Sequence, residues 1–349
     1  MGFTLSRLDQ IGTGIHAVTS ARMNVTVLGS GSWGTALTIL LARNGHRVTL
    51  IGRNQDELRQ MQEDRVNARY LPGFGIPGSV SFESFDHEPR DVEMTVVAVP
   101  SSGVRQVMGS VRGIHPLVVV ASKGLETTTG KTMCEVVGEM LPNAQIGILS
   151  GPNLAVEIAR GIPTVAVAAF SSTEVCTRVR DAFNSPTFRV SASLDVAGVE
   201  LAGSLKNVLA IGAGMSDGLG FGDNTKGAFL SRGLMEMARL GLKMDAKLET
   251  FLGPAGVGDL FATAASRLSR NYRLGRALGE GKSLDQAMKE LGQVAEGVPT
   301  SAAATLLAAR HEVDMPVFAA VYAVLNGKLE PLQAVAKLME RSSSMGDFI

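Results

Sequence analysis

Lys206 lies in the run Glu200-Leu201-Ala202-Gly203-Ser204-Leu205-Lys206-Asn207, with Ala202 at i−4, Gly203 at i−3 and Ala210 at i+4. No carboxylate on its own helix is therefore placed to neutralise it. An amine packed by so small and apolar a face loses water, and its pKa falls toward the range useful for proton exchange near neutrality. The plainer alternative is an exposed lysine. Asp259, in Gly256-Val257-Gly258-Asp259-Leu260, is a candidate partner carried on a glycine-rich turn. Lys123, in Ser122-Lys123-Gly124, comes just after the apolar run Leu117 to Ala121, and Gly151 and Asn153 follow the run Ile146 to Leu149. In parallel sheets ligands sit beyond the carboxyl ends of strands, so Lys123 could meet a carbonyl or a phosphorylated substrate there. Otherwise it is a solvated loop lysine. Asn153 is also a suitable N-cap for the helix expected after it. Ser269-Arg270-Asn271 sets a guanidinium beside an amide, a pair suited to holding phosphate.

A second constellation is Gly29-Ser30-Gly31-Ser32-Trp33-Gly34, a GxGxxG run between a strand ending at Leu28 and a helix expected from Thr35 to Asn44. Here the first glycine makes the turn, the second lets backbone approach a pyrophosphate, and the third lets helix pack on strand. The helix N-terminus then faces the anion. An ordinary glycine turn or an S-adenosylmethionine site would share this spacing. The next strand ends Leu50-Ile51-Gly52-Arg53, where an NAD site usually carries an acid for the ribose 2′-hydroxyl. That absence weakens the S-adenosylmethionine reading and, with Arg53 suited to a 2′-phosphate, favours NADP(H). Asp56 and Glu57 keep NAD(H) open, and Arg53 could also be a surface charge.

The elements that must position these groups alternate. Strands are expected at Asn24 to Leu28, Arg47 to Ile51, Met94 to Val99, Leu117 to Ala121, Ile146 to Leu149, Thr164 to Ala169 and Thr187 to Val190, with helices between most of them. This predicts an α/β fold with an N-terminal Rossmann-type, mostly parallel sheet covered on both faces. Leu71 to Val80, with two prolines and three glycines, reads as a loop. Beyond about Asp195 the strand signal gives way to Ala-, Leu- and Met-rich helical spacing. The expected division is a loose extension over 1–22, a dinucleotide-binding domain over 23–198 and an all-helical substrate-binding domain over 199–349, in line with roughly 150 residues per domain. Met1, Gly2 and Ser6 fit a loose acylation pattern too common to carry weight.

Composition narrows the function classes. Lys and Arg total 33 and Asp and Glu total 33, so there is no basic surplus for nucleic acid or anionic lipid. Hydrophobic residues make up 45% and charged ones 19%, which describes a globular chain. The two cysteines, Cys134 and Cys176, and five scattered histidines show no metal-ligand spacing, so no metal is expected. No continuous apolar run approaches the ~18 residues of a membrane span, and a soluble cytoplasmic protein is expected.

Together these blocks resemble the bacterial-type NAD(P)-dependent glycerol-3-phosphate dehydrogenases from Met23 to about Arg341. The resemblance rests on GSGSWGTAL at 29–37, SKG at 122–124, SGPNLAVEI at 150–158, ELAGSLKN at 200–207, GVGDL at 256–260, SRN at 269–271 and VAEGVPT at 294–300. It implies reversible hydride transfer between NAD(P)H and dihydroxyacetone phosphate, giving sn-glycerol 3-phosphate for glycerophospholipid synthesis. It further implies that Lys206 exchanges the proton and that Lys123 and Asp259 orient substrate. Gly151, Asn153, Ser269, Arg270 and Asn271 would line the substrate site. Ser32, Trp33, Arg53, Lys123, Ala155, Arg270, Val294 and Glu296 would contact cofactor. Asn153 departs from the serine or threonine often found there, and the extension over 1–22 is unusual. A homodimer is an assembly open to such a chain.

Other two-domain reductases, of the 6-phosphogluconate or 3-hydroxyisobutyrate dehydrogenase kind, also carry a lysine on the first helix of a helical domain. The SRN block separates this chain from them by providing for a small phosphate. A nucleotide sensor without turnover is the alternative of a different class, and the joint presence of Lys206 and Asp259 argues against it.

Overall fold

A computed structural model describes residues 21–340. The acylation pattern and nearly all of the extension over 1–22 therefore lie outside the described residues. Ten strands follow in chain order: β1 (Asn24–Leu28), β2 (Arg47–Gly52), β3 (Val66–Asn67), β4 (Leu71–Gly75), β5 (Ser81–Ser84), β6 (Met94–Val97), β7 (Leu117–Val120), β8 (Gln145–Ser150), β9 (Thr164–Phe170) and β10 (Phe188–Ser193). Eight form one sheet in the order β10-β9-β8-β7-β6-β1-β2-β5. Every neighbouring pair is parallel except β8 and β9, so β9 and β10 run against the other six. Every residue of β6 and β7 is buried, as expected of β-branched strands covered on both faces.

Two expectations need correction. Leu71 to Gly75 is not loop: it pairs antiparallel with β3 in a small ribbon, with a register irregularity between Val66 and Asn67. Pro72 and Gly73 are tolerated because this ribbon has no further neighbour that needs their backbone groups. The first helix spans Ser32–Arg43, starting inside the glycine run rather than at Thr35. It stops at Asn44, and Gly45 takes a left-handed φ of 90° to return the chain to β2.

From Val196 onward the chain is helical. The first of these helices, Val196–Gly218, is capped by Asp195, whose Oδ1 accepts from the Gly198 N–H at 2.9 Å. Among the described residues it alone is long and apolar enough to cross a membrane by length and composition, a case the count of continuous apolar residues overlooked because glycines and serines interrupt it. It is instead the buried axis of the helical part, packed by helices Asp223–Lys243, Asp259–Ala264, Arg270–Gly279 and Gly297–Arg310. Its small residues set the closest of these approaches. A Cβ on Gly275 would lie 1.8 Å from the Ile211 carbonyl oxygen, and one on Gly214 would lie 2.1 Å from that of Tyr272. This glycine-on-glycine seat brings the start of helix Arg270–Gly279 alongside Lys206 and Asn207.

Candidate active site

The site forms where the carboxyl edge of the sheet meets the long helix. Lys206 is 5% exposed, and its Nζ donates to Asp259 Oδ1 at 2.5 Å and to Thr263 Oγ1 at 2.5 Å. Asp259 is 1% exposed, and its second oxygen, Oδ2, accepts from Lys123 Nζ at 2.7 Å. Lys123 also donates to the Gly151 carbonyl at 2.8 Å. One carboxylate thus bridges two ammonium groups, one from each part of the chain. Burial pushes the Lys206 amine down to about 8; the Asp259 carboxylate pulls the other way, and the positive charges of Lys123 and Arg270 add to the fall.

Local chain geometry explains how Asp259 arrives. Pro254–Gly258 forms a wide helical turn, with the Gly258 N–H reaching the Gly253 carbonyl at 3.2 Å, and it leads directly into helix Asp259–Ala264. Asp259 therefore occupies a first helical turn, where a negative charge is favoured. Thr263 is one turn further on the same face, which is why both reach one amine. Thr263 was not singled out from the sequence; its i+4 spacing from Asp259 is the signal that could have found it.

Asn207, next to the lysine, accepts at Oδ1 from Asn271 Nδ2 at 2.9 Å, and Asn271 Oδ1 accepts from the Gly297 N–H at 2.9 Å. Asn271 is thus held at both ends of its amide. Ser269 caps its helix by accepting from the Tyr272 N–H at 3.2 Å, and Arg270 follows it, exposed. Among the described residues the Arg270 guanidinium has no hydrogen-bond or ion-pair partner.

Gly151 holds φ 137°, and its missing Cβ makes room for the backbone of Val165 and Ala166 at 3.0 Å. Asn153 does not cap the following helix. That helix begins at Ala155 with Leu154 as its N-cap and no side-chain cap, one residue too late for Asn153 to serve. Asn153 Nδ2 instead donates to the Val165 carbonyl at 3.0 Å, leaving Oδ1 buried without a partner.

The glycine turn follows β1. A Cβ on Gly29 would come within 2.6 Å of the Ala98 carbonyl oxygen after β6, and one on Gly34 within 1.9 Å of the Gly29 oxygen, whereas Gly31 faces open space. The helix Ser32–Arg43 has no side-chain cap and no acid in its first turn, so its leading N–H groups are available. These features fit a dinucleotide pyrophosphate at Gly31 and Ser32. Trp33 is fixed by its indole N–H donating to the Ala121 carbonyl at 3.0 Å. Arg53 is exposed just past β2 and borders a cleft of about 380 Å³. Val294 is exposed, and Glu296 reaches across the molecule to Ser101, accepting from its N–H at 3.1 Å and from its hydroxyl. Ser101 was also missed, because nothing local marks a contact spanning 195 positions. Among the described residues no group of three or more His, Cys, Asp or Glu could hold a metal ion.

Two family models match the chain in succession. The model of the NAD-dependent glycerol-3-phosphate dehydrogenase N-terminus matches residues 24–176, and that of the C-terminus matches residues 195–336. A glycerol-3-phosphate dehydrogenase (NAD(P)+) of Thermoanaerobacter sp. (strain X514) is 45% identical over 323 residues, covering 91% of this chain and 97% of the relative. The enzyme of the same name from Desulfitobacterium hafniense (strain Y51) is 44% identical, covering 91% of each chain. A crystal structure of glycerol-3-phosphate dehydrogenase from Coxiella burnetii superposes with a TM-score of 0.86 at 36% identity, covering 92% of this chain and 99% of that one.

Proposed function

The chain belongs to the NAD-dependent glycerol-3-phosphate dehydrogenase family, and on that premise we propose how its residues carry out the reversible NAD(P)H-dependent reduction of dihydroxyacetone phosphate to sn-glycerol 3-phosphate. The activity is an oxidoreductase activity, and its product suits glycerophospholipid synthesis. When bound, the reduced nicotinamide supplies the hydride. Reduction builds negative charge on the ketone oxygen, and the chain's task is to neutralise it. Lys206 Nζ, dry and with a pKa near 8, hands its proton to that oxygen and takes it back in the oxidative direction. Asp259 holds Lys206 and Lys123 in one geometry, and Thr263 takes a second N–H of the Lys206 amine, leaving the third for the ketone oxygen. Lys123 adds positive charge where the alkoxide develops.

Arg270 and Asn271, with Ser269 shaping the helix start, anchor the substrate phosphate, whose binding energy orients the carbonyl. Gly151 and Asn153 line the other wall. On the cofactor side the assignment is Gly29, Gly31, Ser32 and Gly34 at the pyrophosphate, with Trp33, Arg53, Lys123, Ala155, Arg270, Val294 and Glu296 around the rest. We take residues 23–198 as the cofactor-binding part and 199–349 as the substrate-binding part of a cytoplasmic enzyme able to form a homodimer. The observation that carries the reading is the buried Asp259 carboxylate shared by Lys206 and Lys123.

Oxidation of NADPH and NADH in the presence of dihydroxyacetone phosphate tests it. Turnover of the ketone is expected; tight cofactor binding without turnover would point instead to a nucleotide sensor. Because Arg53 stands where an acid would read a ribose hydroxyl, NADP(H) is the preferred cofactor and NAD(H) a poorer one. Arg53→Asp should move the ratio of kcat/KM for NADPH over NADH toward NADH by about ten-fold or more. An unchanged ratio would show that the ribose is read elsewhere.

A further inference from the structure

The cleft beside Arg53 is lined by Phe85 and Asp86, which follow β5, and by Gln106, Val107, Gly109, Ser110 and Arg112, on and after the helix Val104–Ser110 that follows β6. The sheet order β6-β1-β2-β5 puts this cleft beyond the same carboxyl edge as the glycine turn, on the side of β2. A dinucleotide whose pyrophosphate lies at Gly31 must send its adenosine half toward β2 and its other half toward β7 and Lys206. The cleft is thus the space the adenosine enters.

Its charge is notable. Among the described residues neither the Arg53 nor the Arg112 guanidinium has a hydrogen-bond or ion-pair partner, and Asp86 is the one carboxylate among the lining residues. Two cations against one anion leave the cleft positive. Arg112 is also anchored: its N–H donates to Glu88 Oε2 at 2.9 Å, and the other oxygen of that buried carboxylate lies 3.3 Å from His115 Nε2. A positive cleft with an aromatic ring and an aliphatic wall, Phe85 and Val107, matches a phosphomonoester attached to a flat base.

We propose that Arg112 is a second specificity residue, which together with Arg53 binds the 2′-phosphate of NADP(H) while Phe85 packs against the adenine. This rests on the NADP(H) preference proposed above and extends it to a residue after β6 that the glycine motif and the end of β2 do not reveal. Two guanidinium groups can grip a phosphate from two sides, whereas a 2′-hydroxyl offers neither the charge.

The test is KM for NADPH and for NADH in the wild type, Arg112→Ala and Arg53→Ala, with binding of adenosine 2′,5′-bisphosphate, 5′-AMP and inorganic phosphate to each protein. Arg112→Ala is expected to raise KM for NADPH by about ten-fold, leave KM for NADH within about two-fold, and weaken the bisphosphate by a similar factor with 5′-AMP unchanged. Inorganic phosphate alone should bind poorly, since it lacks the base. If Arg53→Ala changes the cofactor ratio and Arg112→Ala does not, Arg53 acts alone and the inference fails while the NADP(H) preference stands. If the wild type shows no preference for NADPH and binds the bisphosphate no better than 5′-AMP, the preference itself fails and takes the inference with it.

Discussion

Lys206→Ala should lower kcat for ketone reduction by roughly 10²- to 10⁴-fold, the usual worth of a positioned general acid. Cofactor affinity should stay within about two-fold, because no residue of the glycine turn touches this amine. The fold has reason to survive the change. Asp259 keeps its bond from Lys123 at 2.7 Å, so the buried carboxylate is not left unpaired. Stopped assays of NADPH oxidation, paired with a fluorescence titration of NADPH binding, separate the two quantities. A variant with ordinary turnover would remove Lys206 from the mechanism.

Asp259→Asn should be nearly as damaging, for a different reason. Lys206 and Lys123 both donate to this side chain, one to each oxygen. A carboxamide has one accepting oxygen and presents N–H groups on its other side, so one ammonium must face a donor. The pair also loses its counter-charge in a buried place, where an uncompensated charge costs about 3–5 kcal/mol. We expect kcat to fall roughly 10²-fold or more and the thermal midpoint to drop. The variant carries a further signature. With the carboxylate's upward pull gone, the amine's pKa drops below about 8, and reduction should fade at a lower pH than in the wild type. Loss of activity with an unmoved pH profile would mean that Asp259 supports the fold without tuning the lysine.

The parts of this arrangement visible in sequence are those set by local rules. Glycines 29, 31 and 34 declare a strand, a turn and a helix: a side chain at 29 or 34 would collide with neighbouring backbone, while Gly31 leaves open the space a ligand needs. Lys123 declares itself by following an apolar strand, and Lys206 by the small residues around it. What sequence does not show is which distant groups complete them. Thr263 and Asn207 carry ordinary residue types: Thr263 acquires meaning once the helix Asp259–Ala264 packs on the long helix, and Asn207 once the helix Arg270–Gly279 packs there through Gly214 and Gly275. Ser101 and Glu296 meet across nearly the whole chain. Arg112 follows a short helix with no motif of its own. The errors have similar origins. Asn153 is a good cap by type, but the helix begins one position too late. Leu71 to Gly75 has the composition of a loop, yet Val66 and Asn67 supply a partner strand that a reading of that segment alone does not see. The weak edge strand β5, with just one buried residue, was missed for want of an apolar run.

The account stands on proton exchange by a buried amine with a pKa near 8. The most direct measurement is kcat/KM against pH, from about 6.5 to about 9.5, for ketone reduction and for glycerol 3-phosphate oxidation by the wild-type enzyme, since this ratio reports groups of the free enzyme. Reduction needs the ammonium, so its profile should be level at low pH and fall above about 8; oxidation needs the free amine, so its profile should rise and level off above the same pH. Profiles flat through that region in both directions, or bending the same way in both, would contradict it.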